Sequence, residues 1–279
     1  MTNKLEIENY IKTHSIKQKL LSSFKNLLFH YMQIKLKKYT LQMIKLYSIL
    51  TIFILVASCS QKTQQPCDDS FIRGNNYVLA SDFENAKKEF EKSIKADSKN
   101  ANAFYGLGYT YSVEGIYEKA IENYTKAIEL DSKFKLAVIG RGSIYYIVGD
   151  YENSEKDFIE VTELMPNFSM GYLYLGNIKS QKADFESALK YYDQALIYDK
   201  KNSTTYFSKA ICQSYLNRPL DAIHLLKKSI EINPKYGMAY FYKATFEHQL
   251  NMGDEACKDF KMAEKLGITT QTNISEFCK

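Results

Sequence analysis

Tryptophan is absent from this chain of 279 residues, and proline (4), glycine (12) and histidine (4) are scarce. So few breakers exclude a fold of many tight turns and fit long helices with short connections. The chain has no His-Glu-x-x-His, no Gly-rich phosphate loop, no Gly-x-Ser-x-Gly and no Cys-x-x-Cys. The usual signatures of metalloproteases, nucleotide enzymes, serine hydrolases and structural zinc are therefore missing. Net positive charge is confined to one end. Residues 1–58 hold nine Lys, no Arg and two acids (Glu6, Glu8), and so carry +7 of a net +5, leaving −2 for residues 59–279. That remainder has no positive field to hold a phosphate backbone, which argues against nucleic acid as a partner.

Apolar residues make up 45% of the chain, with 23 Tyr and 16 Phe supplying the packing volume. Near the basic end, Leu46 to Val56 is an apolar run broken only by Ser48 and Thr51. A membrane-spanning helix needs about 20 apolar residues, so this run is too short to span. It has the length of the apolar core of a secretory signal peptide. The sequence Leu55-Val56-Ala57-Ser58-Cys59 follows and resembles a bacterial lipobox. That resemblance implies cleavage after Ser58, diacylation of the Cys59 thiol and acylation of the new amino terminus. Several acyl chains give stable anchoring where one alone is marginal. A truncated anchor with an incidental Cys is the other reading. The signal peptide is expected over residues 43–58, with translation starting at Met43, so that residues 1–42 belong to an over-extended reading frame; Met32 is the second candidate start. Residues 59–66 are polar and read as a tether.

A 34-residue period governs the rest. Gly108 recurs as Gly74, Gly142 and Gly176, and is replaced by Ala210 and Ala244. A small residue recurs as Ala86, Ala120, Ser154, Ala188, Ala222 and Ala256, and a large one as Phe90, Tyr124, Phe158, Tyr192, Leu226 and Phe260. Pro166 and Pro234 mark repeat ends. Six copies run over 67–100, 101–134, 135–168, 169–202, 203–236 and 237–270. Copy 101–134 is the fullest, with Phe104, Leu107, Gly108, Tyr111, Ala120, Tyr124 and Ala127. The pattern resembles the tetratricopeptide repeat.

The resemblance implies an all-α fold, a right-handed superhelical solenoid of six helical hairpins, with residues 271–279 forming a short C-terminal cap. Small residues at positions 8 and 20 let the paired helices approach, and each hairpin leaves an apolar face that the next must cover. Gly115 and Gly149 stand where the first helix stops on a residue tolerant of positive φ. Pro219 suits the first turn of a second helix. Position 7 carries Arg73, Arg141, Lys209 and Lys243, whose stems are expected to run along the helix pair to water.

In this family, positions 2, 5, 9 and 12 of the first helices line a groove. The candidates here are Phe71, Tyr105, Ile139, Leu173, Phe207 and Phe241 at position 5. Tyr109, Asn177 and Ile211 stand at position 9, and Tyr146 at position 12. Position 12 otherwise reads Val78, Ser112, Ser180, Ser214 and His248. This lining is aromatic, polar and almost uncharged, which favours an extended segment or an amphipathic helix of a partner. The competing reading is that neighbouring hairpins bury position 5. The cationic residues of a two-carboxylate clamp are missing: position 6 reads Ile72, Gly106, Gly140, Tyr174, Ser208 and Tyr242.

Cys257 and Cys278 are expected either to pair in an oxidising compartment or to be small buried hydrophobes. Cys212 reads as core. No metal or cofactor site is expected, and no catalysis, because six uninterrupted repeats leave no catalytic domain. The resulting expectation is a lipid-anchored adaptor of the cell envelope, on the outer membrane, that gathers protein partners. A surface lipoprotein that binds carbohydrate or serves nutrient capture is the alternative.

Overall fold

The computed structural model describes residues 69–268 and Cys278. The leader over 43–58, the lipidation candidate Cys59, the tether, Cys67 and nearly all of the C-terminal cap lie outside the described residues.

Twelve α-helices and no strands make up the described chain. They are α1 (Asp69–Leu79), α2 (Phe83–Ala96), α3 (Ala101–Glu114), α4 (Tyr117–Leu130), α5 (Lys135–Val148) and α6 (Tyr151–Leu164), followed by α7 (Ser169–Gln181), α8 (Phe185–Tyr198), α9 (Ser203–Tyr215), α10 (Pro219–Ile232), α11 (Gly237–Gln249) and α12 (Gly253–Lys265). From α3 on, every first helix starts at position 1 of its repeat. Every second helix starts at position 17. Two compact units are distinguished: one centred on the α1–α2 hairpin, the other on the hairpins from α3 to α12. Within the second unit, α6, α8, α10 and α12 pack against the first helix of their own hairpin, and α4, α6, α8 and α10 against the first helix that follows.

Local chemistry sets the helix boundaries. Asp82, Asp150 and Asp184 cap α2, α6 and α8, each accepting from the backbone N–H three residues on. These carboxylates satisfy donors that the first turn would otherwise leave orphaned. Asn202 caps α9 in the same way through Thr205. Pro219 opens α10, where its missing N–H costs nothing.

The turn inside each hairpin needs one left-handed residue, and position 15 provides it in all six. Gly115 (φ 79°) and Gly149 (φ 87°) do so without a side chain, while Ser81, Ala183, Asn217 and Asn251 do so at φ 60°. Glycine and asparagine favour such a turn, whereas Ser81 and Ala183 do not announce it.

The core lies between the two helices of each hairpin. A Cβ on Gly74 would stand 2.6 Å from Phe90, on Gly108 2.9 Å from Tyr124, on Gly142 3.2 Å from Phe158, and on Gly176 2.5 Å from Tyr192. Position 8 is therefore held small by the ring at position 24. In the fifth and sixth hairpins the fully buried Ala210 and Ala244 take this position, opposite Leu226 and Phe260 in the repeat. The residues at position 20 are fully buried in every copy. Gly140 closes on the Tyr124 ring from the following hairpin, at 2.7 Å for a Cβ, so Tyr124 is enclosed by two glycines.

The position-7 cations do not simply run to water. Arg141 donates to both carboxylate oxygens of Asp157, at 3.0 and 2.8 Å, and to Thr125. Arg73 pairs with Glu89 at 2.8 Å, and Lys243 pairs with Asp259 and Glu247. Lys209 reaches back to Asp193 of the preceding hairpin. A carboxylate within reach on the packed helix holds a half-buried cation better than a solvated tip does.

Candidate partner-binding face

The first helices owe their two-sided burial to the stacking. One side of α5, for example, meets its own α6 and the other meets α4. The position-5 rings meet their own second helix or the start of the next hairpin, so their exposure depends on what stands there.

Most of the expected groove lining is packed away. Tyr109, Tyr146, Leu173, Asn177, Phe207, Ile211 and Phe241 are all buried, while Phe71, Tyr105 and Ile139 are half-buried. The ring contacts show where the aromatics go. Phe71 packs on Phe90, and Tyr105 lies between Tyr124 and Phe134. Tyr146 meets Tyr151 and the edge of Tyr174, and Phe207 meets Tyr236 and Tyr242. Phe241 packs on Phe260. These rings hold hairpins together. Removing Tyr109 or Tyr146 to Ala would cost about 3–5 kcal/mol of packing.

The open part of the face is smaller and more polar. Ser180, Ser214 and Thr245 are half-buried and His248 is exposed. Ser214 donates to the Ile211 carbonyl at 2.8 Å, and Thr245 to the Phe241 carbonyl at 2.9 Å. Their donors are thus spent on their own helix, and each hydroxyl oxygen keeps the capacity to accept. Tyr215, at position 13 and 40% exposed, adds an aromatic surface that the sequence reading passed over. Its ring stacks on Phe185 with centroids 4.7 Å apart and planes 4° apart. The signal was available, since position 13 lies one helical turn past position 9. Gln181 stands at the same position of the preceding repeat and accepts from the Tyr151 hydroxyl at 3.5 Å.

Two amides at position 9 differ. The Asn177 side-chain oxygen accepts from the Tyr192 hydroxyl at 2.9 Å. Asn75 faces a hairpin in which Phe90 replaces that Tyr, and its side-chain N–H₂ has no hydrogen-bond partner although it is buried.

The chemistry of these groups is that of recognition. Burial pushes the Tyr124, Tyr146 and Tyr192 phenols well above their ordinary range, and that of Tyr174 to about 12. All are neutral hydrogen-bonding groups at physiological pH. Burial also raises the Cys212 thiol, which contacts the Ser180 hydroxyl at 3.4 Å. A neutral buried thiol is a poor nucleophile. Among the described residues, no group of three or more His, Cys, Asp or Glu could hold a metal ion. Cys257 and Cys278 are joined by a disulfide, with Cα atoms 5.2 Å apart. Cys59 lies outside the described residues.

Comparison with known proteins places this architecture. Two family models, both described as tetratricopeptide repeat, match residues 101–134 and 71–100. No match was found among curated proteins. Among solved structures, the chain resembles YrrB, described as a TPR protein with an unusual peptide-binding site. The identity is 19%, with 64% of this chain and 92% of that one covered and a TM-score of 0.52. It also resembles PilF of Pseudomonas aeruginosa, at 19% identity with 72% and 91% covered and a TM-score of 0.63. For the protein MamA the identity is 18%, with 63% and 100% covered and a TM-score of 0.55. At such identities the likeness is one of fold.

Proposed function

Because the chain is a tetratricopeptide-repeat protein, whose stacked hairpins make a scaffold for protein–protein interaction, we propose that it is a lipid-anchored adaptor of the cell envelope. It takes an extended partner segment along the open part of its first-helix face. The observation that carries this reading is the acceptor row of Ser214 and Thr245, whose donors are already spent on their own helix. Beside that row stands the exposed Tyr215 ring. An extended peptide offers main-chain N–H groups to such acceptors and an apolar side chain to such a ring. The peptide-binding site of YrrB supports a peptide as the ligand class.

The envelope placement rests on two observations. Leu55 to Cys59 resembles a lipobox directly after an apolar run of signal-peptide length. The Cys257–Cys278 bridge suits an oxidising compartment outside the cytoplasm. No helix among the described residues is long and apolar enough to cross a membrane, so attachment in this reading falls to the acylated Cys59. The outer membrane is the proposed membrane.

Each part has its own test. Ser214→Arg with Thr245→Arg fills the face with charge at half-exposed positions. Recovery of the partner in a crosslinking pull-down from the membrane fraction should be lost while the helical circular dichroism is kept. Equal recovery would remove the face from the account. Cys59→Ser should shift the protein from the membrane to the soluble fraction. Unchanged membrane retention would remove the lipid anchor.

A further inference from the structure

Position 21, in the second helix, has a fixed role in the stacking. In the third hairpin it is Glu155, which Lys182 of the next first helix meets at 2.6 Å. In the fourth it is Leu189, and Leu216 of the next hairpin packs against its cluster. In both pairs the partner stands 27 residues on, at position 14 of the following repeat. Within the first unit, Lys87 at position 21 likewise pairs with Glu114 at 3.0 Å. Position 21 is thus the anchor point for whatever stacks next.

In the sixth hairpin position 21 is Cys257, and its partner is Cys278, only 21 residues on. The chain is already turned back before that point. Gly267 takes φ 81°, and Ile268 donates its N–H to the Ala263 carbonyl at 3.0 Å, which reverses the chain at the end of α12. The Ile268 side chain is buried against Gly237, where a Cβ would come within 2.8 Å of it.

We propose that the Cys257–Cys278 bridge is a redox-controlled end stop. It fixes the chain's own Cys278 at the anchor point that the first, third and fourth hairpins offer to their successors. Opening it requires a dithiol reductant. One reductant thiolate attacks a bridge sulfur and forms a mixed disulfide, and the second displaces the remaining cysteine thiolate. Two electrons and two protons pass to the protein as two cysteine thiols, and the reductant leaves as a cyclic disulfide. Reduction therefore frees the anchor point and loosens the last hairpin, while the interior hairpins keep their stacking partners.

Hydrogen exchange on the full chain, with and without dithiothreitol, tests this. Reduction is expected to speed amide exchange in α11 and α12 by about tenfold or more, with α3 to α8 unchanged. Two thiols should appear on reduction. Unchanged exchange in α11 and α12, or the same thiol count before and after reduction, would overturn the proposal. A second comparison separates the anchor point from a mere crosslink. Cys257→Glu with Cys278→Lys copies the Glu155–Lys182 pair, and its α11–α12 exchange should be about threefold slower than that of Cys257→Ser with Cys278→Ser, with no response to dithiothreitol. Equal exchange in the two double variants would refute the assignment of Cys278 to that anchor point.

Discussion

Arg141 and Asp157 face each other across one hairpin, joined by two parallel hydrogen bonds of 3.0 and 2.8 Å. Asp157 is buried and Arg141 half-buried. Burial raises the Asp157 carboxyl above its ordinary range, with the bonds to Arg141 pulling the other way. The second hairpin has Leu107 and Asn123 at the same two positions, and the fourth has Leu175 and Tyr191. The fold therefore accepts an ion pair or an uncharged pair there, and in the fifth hairpin a lone Lys209 opposite Leu225 whose cation is held by Asp193 instead.

Asp157→Ala leaves a part-buried guanidinium without its carboxylate and should cost about 3 kcal/mol. Arg141→Leu with Asp157→Asn copies the second hairpin and should lie within about 1 kcal/mol of the parent. Thermal unfolding of the three proteins checks this. A double variant as unstable as Asp157→Ala would contradict it.

Ala183 holds the left-handed turn between α7 and α8 at φ 60°. An L side chain pays about 1 kcal/mol there, and glycine does not. Ala183→Gly should stabilise the protein by about 0.5 kcal/mol after the added freedom of the unfolded chain is counted. The same change at Ala188, buried at position 20, should destabilise it. Urea unfolding of the pair gives opposite signs if the turn is the cause.

Glu247 is almost fully buried on α11, and its second carboxylate oxygen has no hydrogen-bond partner. Burial raises its carboxyl, opposed by its bond to Lys243, with the Asp259 charge raising it further. A raised folded-state value means that folding favours the protonated form. Stability from this group is complete below the unfolded value and is lost as pH rises through the folded one. Glu247→Gln mimics the protonated form. It should therefore stabilise the last hairpin relative to the parent at pH 7, and the difference should shrink as pH falls toward 4. Melting temperatures of both proteins across that range test the sign, and a difference that grows with acid would reverse it.

Much of the fold was legible because its rules are local and repeated. A glycine at position 8 with a large residue 16 positions on is readable in four hairpins as Gly74–Phe90, Gly108–Tyr124, Gly142–Phe158 and Gly176–Tyr192. The turn was read at Gly115 and Gly149; Asn217 and Asn251 also tolerate left-handed backbone, whereas Ser81 and Ala183 carry no preference for it. The face was legible as a set of positions but not as a surface. Helical periodicity tells which side of α9 Phe207 occupies. It does not tell that Tyr236 and Tyr242 close over that ring. Tyr215 was missed for the converse reason, since it lies beside the expected positions and nothing covers it fully.

The central claim is that partners bind on the first-helix side. A photo-crosslinking residue placed singly at Tyr105, Ile139, Tyr215 or His248 samples that side. Placed at Glu122 or Lys227, both exposed on second helices, it samples the other. A discrete covalent adduct in the membrane fraction is expected from the first set and none from the second. Adducts of equal yield from both sets, or from the second set alone, would contradict it.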